Sequence, residues 1–241
     1  IRRQRQMCIR DRDIEYNGMT GSSIDIYSKD LISLPAASAN MTEIKLSGRD
    51  GTLYKWDGTY EANEIKIEFN YIGPVERWHD RWRMAQIWLS AHNSMLKISD
   101  DADFFYKVTH VTLDECSRTT KRIGNFTANF KTLDGLQYLV DGTREYDIKD
   151  VLWNQYLTCH PTYKITAEGM CTLTVNGNTM TANVGQNLTI DTDRMIAYRS
   201  DGTLNNTQVT GNYEDMYLLN GENEISFSGG ELKVIPNWRC L

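Results

Sequence analysis

Glycine preceded by Asp or Asn recurs along this chain, at Asp50-Gly51, Asp57-Gly58, Asp134-Gly135, Asp141-Gly142, Asn176-Gly177, Asp201-Gly202 and Asn220-Gly221. These dipeptides favour tight turns, because Gly accepts the positive φ that such turns demand and Asn or Asp tolerates it. Turns this frequent leave room only for short elements between them. The runs they bound alternate: Ile65-Lys66-Ile67-Glu68-Phe69 sets apolar against charged residues with the period of two expected of a strand with one buried face. Leu173 and Val175, then Ile225 and Phe227, repeat the pattern, and Val175-Asn176-Gly177-Asn178 is the strongest hairpin signal in the chain. The expectation is a mainly β protein of antiparallel strands.

One stretch departs from this pattern. In PVERWHDRWRMAQIWLSAHN, Val75, Trp78, Trp82, Ala85 and Leu89 fall on one helical stripe, with Pro74 suited to a first turn and Asn93 near the end. A helix is predicted over residues 74–93, its tryptophans packing on a sheet. Two Asp-Gly turns and the charged run REYDIKD interrupt the apolar pattern between Leu133 and Trp153. The organisation predicted is an N-terminal β-rich domain over 13–134, a boundary segment over 135–152, and an all-β sandwich rich in Thr and Asn over 153–241.

The chain of 241 residues is long enough to bury its own core without staples. No apolar run approaches the ~18 residues of a membrane span, so no membrane partner is expected. Five cysteines (Cys8, Cys116, Cys159, Cys171, Cys240) show no C-x-x-C spacing, which implies neither a zinc site nor a disulfide framework. The four histidines likewise lack metal-binding spacing. Asp100, Asp101 and Asp103 resemble the start of a calcium loop, but its sixth and twelfth positions would be Phe105 and Val111 where Gly and Glu are needed, so an acidic turn between strands is expected. No G-x-S-x-G, P-loop or G-x-G-x-x-G occurs. The reading is of a protein that is not an enzyme and needs no cofactor or metal.

Charge bears on partners. The formal net charge is −6, yet residues 1–12 hold five arginines; without them 21 Lys and Arg face 31 Asp and Glu, a net of −10. So acidic a chain is not built for general or sequence-specific nucleic-acid binding, which displaces counterions with clustered Lys and Arg. The basic arm has neither the apolar centre of a secretory signal nor the Ser content of a mitochondrial presequence. Its residues Met7 to Arg12, MCIRDR, can be encoded by a string closely resembling the transposase mosaic end used to prepare sequencing libraries. Residues 1–12 are therefore expected to be non-native, native sequence starting near Asp13 or Ile14 with a few residues lost, and the arm is expected to pack against nothing.

Five landmarks in order carry a resemblance: IEYNGMTGSSIDIYSKDLISLP, then GRDGTLYKWDGTYEANEIKIEFN, then the Trp-rich helix running into WLSAHNSMLKISDDADFFYKVTHV, then GNFTANFKT, and NWRCL near the C-terminus. Together they resemble the distal tail protein (Dit) family of long, non-contractile-tailed phages and their prophages, over nearly the whole chain from Asp13. The resemblance implies a ring-forming N-terminal domain with one helix and a galectin-like C-terminal β-sandwich. It further implies a homo-hexameric hub at the distal end of the virion's tail, made in the bacterial host cytoplasm. Its partners would be the tail tube protein, the tail-associated lysin or tip protein and, in many phages, the receptor-binding protein. DNA would pass through the bore, which the acidic balance suits.

Two sets of residues stand out as contacts. Gly48-Arg49-Asp50-Gly51 reads as a turn between EIKLS and LYKW, with Arg49 either reaching a neighbouring subunit or capping its own turn. Trp153 and Trp238 are the candidate carbohydrate contacts of the alternative reading, a module that binds host cell-wall polymers; core packing or a domain contact is the simpler expectation for both. A glycosidase would need two carboxylates converging in a cleft, which sequence cannot show.

Overall fold

A computed structural model describes residues 13–241; the expected isolation of residues 1–12, and Cys8 with them, lie outside the described residues. The protein is mainly β, with antiparallel sheets and, among the described residues, one α-helix. It divides into two compact units, the first through Gln137 and the second Tyr138–Cys240. Among the described residues no helix is long and apolar enough to cross a membrane.

The first unit contains β1 (Ile14–Tyr16), β2 (Ile26–Ser28), β3 (Ala39–Ile44), β4 (Leu53–Tyr60), β5 (Glu64–Ile72), α1 (Trp78–Leu89), β6 (Ser94–Ile98), β7 (Asp101–Leu113) and β8 (Ile123–Leu139). Its main sheet has the order β1-β6-β7-β8-β5-β2. The alternation read in β5 is realised: Ile65, Ile67, Phe69 and Tyr71 are buried while Glu64, Lys66 and Glu68 face out. Opposite them in register stand Phe130, Ala128 and Phe126 of β8, also buried, so the two strands present one continuous apolar face. Phe69 stacks on Phe126 at 5.2 Å and meets Trp88 of α1 edge-on at 5.9 Å, which seats the helix on that face. The indole Nε1–H of Trp88 donates to the carbonyls of Tyr16 and Met19, so the helix also pins β1.

The α-helix is shorter than the periodicity predicted. Val75–Arg77 forms a 3-10 turn after Pro74, and Trp78 begins the α-helical stretch. A 3-10 turn advances each residue further round the axis than an α-turn does, which throws Val75 off the stripe and leaves it exposed, while Trp78, Ala85 and Leu89 are buried. Trp88, absent from the predicted stripe, is buried beside Leu89. Of the three residues expected in an acidic turn, Asp100 sits in the turn between β6 and β7, whereas Asp101 and Asp103 belong to β7, whose pairing with β6 begins at Asp101.

The second unit is built on β9 (Thr162–Val175), β10 (Asn178–Asp191), β11 (Ile196–Tyr198) and β12 (Ile225–Ile235), in the sheet order β11-β10-β9-β12. β9 and β10 pair without interruption from Thr162↔Asp191 to Val175↔Asn178, closed by Asn176 and Gly177 at φ +49° and +84°. Two consecutive positive φ values are those of a type I′ hairpin turn, as Asn-Gly predicted. Tyr163, Ile165, Leu173, Val175, Met180 and Leu188 turn inward against Val151, Cys159, Met216 and Leu218 from the connecting segments. The buried Tyr163 hydroxyl donates to the Met216 carbonyl at 2.7 Å. Within residues 138–152, Tyr146 exchanges backbone hydrogen bonds with Val234 of β12, so that stretch is docked on the second unit's sheet.

Candidate assembly surface

β3 and β4 form a two-stranded ribbon, joined to no other sheet among the described residues. Its register is Ile44↔Leu53, Glu43↔Tyr54, Thr42↔Lys55 and Met41↔Trp56, with an irregularity before Ala39↔Tyr60. Direct cross-strand partners share a face, so Met41, Tyr54 and Trp56 lie on one side and Ile44 with Leu53 on the other. All five are exposed, Tyr54 by 66%. Local polar contacts hold the ribbon: Thr42 Oγ1 donates to Asp57 Oδ2 at 2.7 Å, Asn40 Nδ2 to Thr59 Oγ1 at 2.9 Å, and Trp56 Nε1 to the Thr59 carbonyl at 3.2 Å.

An isolated two-stranded ribbon is marginal in water. Covering side chains of this size stabilises by roughly 1–2 kcal/mol each. The ribbon therefore has the composition of a contact surface: apolar on both faces and lacking a core of its own.

At its end lie Gly48, Arg49, Asp50 and Gly51, all exposed. Arg49 N–H donates to the Leu46 carbonyl at 3.3 Å, closing a four-residue turn whose third position is Gly48 at φ +80°. A type II turn requires positive φ there, which accounts for the glycine. Gly51 has φ +81°, and a Cβ on either glycine would meet nothing within 4 Å. Backbone conformation, not crowding, selects these glycines. The Arg49 guanidinium makes no hydrogen bond or ion pair among the described residues, while its backbone N–H closes the turn.

Beside the ribbon's base is an open groove of about 460 Å³, lined by the extended segment Asp30, Leu31, Ile32, Ser33, Leu34, Pro35 and by Glu64, Lys66, Ile67 and Glu68 around β5. Lys29 pairs with Glu68 at 2.9 Å, both half-exposed, a solvent-screened surface contact.

The two candidate tryptophans are not alike. Trp238 packs 5.4 Å from Tyr146 and 6.3 Å from Tyr156, and its Nε1 is buried without a hydrogen-bond partner among the described residues. It is a packing residue of the second unit. Trp153 stands 66% exposed on a two-residue strand pair, Trp153–Asn154 with Gly221–Glu222. Sequence reasoning missed Asn154, which is wholly buried and donates from Nδ2 to the carbonyls of Leu157, Leu218 and Leu219. Burial pushes the Cys159 thiol up to about 11, which marks it as an inert packing group.

No family model matches this chain, and no curated protein does. Among solved structures it is similar to the Dit protein (gp 19.1) of phage SPP1, described as a paradigm of the hub adsorption apparatus in phages that infect Gram-positive bacteria. The match has a TM-score of 0.65 at 13% identity and covers 92% of this chain and 96% of that one. The likeness is one of fold, extending over both units.

Proposed function

We propose that this chain is a structural protein of a long, non-contractile phage tail, in which six copies close into a ring hub at the tail's distal end. The reading rests on the shared fold with the SPP1 hub protein over nearly the full length of both chains. A closed ring needs one surface of each subunit to complement a different surface of the next. The exposed ribbon, apolar on both faces, is suited to be one such surface, with the groove at its base a candidate receiver in the neighbouring copy. The hub joins the tail tube to the tail-associated lysin or tip protein and carries the receptor-binding apparatus, with no catalysis of its own. The net of −10 outside residues 1–12 suits a bore that passes DNA, because fixed cations would hold the phosphates.

Native mass spectrometry of the protein freed of residues 1–12 tests this reading. A hexamer is expected, alone or on adding the tube and tip proteins of the same phage. A strict monomer at tens of micromolar with both partners present would overturn it.

A further inference from the structure

The face of the second unit that carries Trp153 has the chemistry of a sugar platform. Trp153 and Glu222 are direct cross-strand partners and so project from the same face, while Asn154 on the opposite face is buried. Just beyond the paired residues lie Gln155 and Asn220, both exposed. Their amide nitrogens are occupied, Gln155 Nε2 by the Tyr156 hydroxyl at 2.8 Å and Asn220 Nδ2 by the Tyr156 carbonyl at 2.6 Å. Both amide oxygens are left without a partner among the described residues, as are the Glu222 carboxylate and the Trp153 indole N–H. An uncovered aromatic ring thus has a carboxylate directly across the ladder and two amide oxygens on the residues that adjoin the two strands.

The platform is also rigid. Asn154 ties it to three carbonyls from beneath. The buried Asn223 donates from Nδ2 to the Leu219 and Gly221 carbonyls, while its Oδ1 accepts from Leu219 N–H and from Asn176 Nδ2. Asn223 N–H donates to the Leu152 carbonyl at 2.7 Å. This scaffold fixes the positions of Trp153 and Glu222 before any ligand arrives, which lowers the ordering cost of binding.

We infer that Trp153, Glu222, Gln155 and Asn220 form a binding site for a neutral polysaccharide. The apolar C–H face of a pyranose covers the indole, and its hydroxyls donate to the carboxylate and the two amide oxygens. Among the neighbouring charges at 149–156 and 219–224, Asp150, Glu222 and Glu224 outnumber the single cation Lys149, a balance that disfavours anionic polymers.

The test is titration of the full chain with cellotetraose, N-acetylchitotetraose and maltotetraose, followed by saturation-transfer NMR and tryptophan fluorescence. At least one probe is expected to saturate with a millimolar Kd. Trp153→Ala should weaken it by about tenfold or more, Glu222→Gln by about threefold, and Trp153→Tyr should retain most of it. Trp56→Ala, on the ribbon, should leave it unchanged, and melting curves confirm that each variant folds. Silence of all three probes at tens of millimolar overturns the inference, as does equal binding by Trp153→Ala. A Trp153 that becomes shielded from acrylamide when the protein assembles without sugar also overturns it, since the indole would then be a protein contact. Sugar binding is read whether or not rings form, so it stands or falls separately from the hub reading.

Discussion

The ring of Tyr71 fills the space over Gly124, its partner across the β5–β8 ladder: a Cβ on Gly124 would stand 2.3 Å from Tyr71 Cζ. No side chain fits there without displacing a fully buried tyrosine whose hydroxyl reaches the Trp78 carbonyl at 3.4 Å. Gly124→Ala is therefore expected to destabilise the first unit by about 1–3 kcal/mol through overpacking. Chemical denaturation measures it, and a neutral result would mean that Tyr71 has room to move.

The ribbon gives a prediction that separates folding from assembly. Tyr54→Ser combined with Met41→Ser removes exposed apolar surface from one face of the ribbon and leaves the Trp56–Thr59 hydrogen bond in place. The monomer should keep its stability to within about 1 kcal/mol, as exposed substitutions do. Rings should be lost under native mass spectrometry. Rings that persist would show that the ribbon is not a subunit contact.

Asn154 should be far less tolerant than the tryptophan beside it. Asn154→Leu removes a buried amide that donates to three carbonyls and leaves the Tyr156 N–H without its acceptor, at a cost of about 1–3 kcal/mol, whereas Trp153→Ala should change stability by less than about 1 kcal/mol. Paired melting curves check the contrast.

Alkaline pH should weaken the fold in a definite window. The native state holds the Cys159 thiol neutral, its pKa raised from 9.0 to about 11 chiefly by burial. A raised acid contributes stability below the unfolded pKa and loses it as pH climbs through the folded value. The contribution, roughly 2–3 kcal/mol at most, is thus present at pH 8 and eroded between pH 9 and 11. Tyr71 and Tyr163, whose hydroxyls burial also pushes up, act in the same direction above pH 10. Urea denaturation at pH 8 and pH 10.5 measures the fall, and Cys159→Ala should flatten its first part.

Sequence showed the second unit's hairpin and the first unit's inward row of Ile65, Ile67 and Phe69 because period and turn chemistry are local properties. Gly48 and Gly51 were visible for the same reason. The status of the ribbon was not: an alternating strand reads the same whether its apolar side chains meet the chain's own core or stay exposed, as Tyr54 and Trp56 do. Val75 was misplaced because periodicity cannot separate a 3-10 turn from the α-helix that follows. Asn154 and Asn223 stayed hidden because asparagine in a turn-rich stretch signals a loop, and burial of the amide depends on partners distant in sequence: the Leu218 carbonyl, 64 residues from Asn154, and Asn176 Nδ2, 47 residues from Asn223.

The uninterrupted β9–β10 ladder also sets an order of events in time. Its closing loop is two residues long, so the first contacts cost almost no loop entropy, and pairing can zip outward from Asn176 and Gly177 within microseconds. β12 must then find β9 from some fifty residues away, a slower search. Substituting Gly177 should accordingly lower the refolding rate more than it raises the unfolding rate, which makes this turn the nucleus of the second unit.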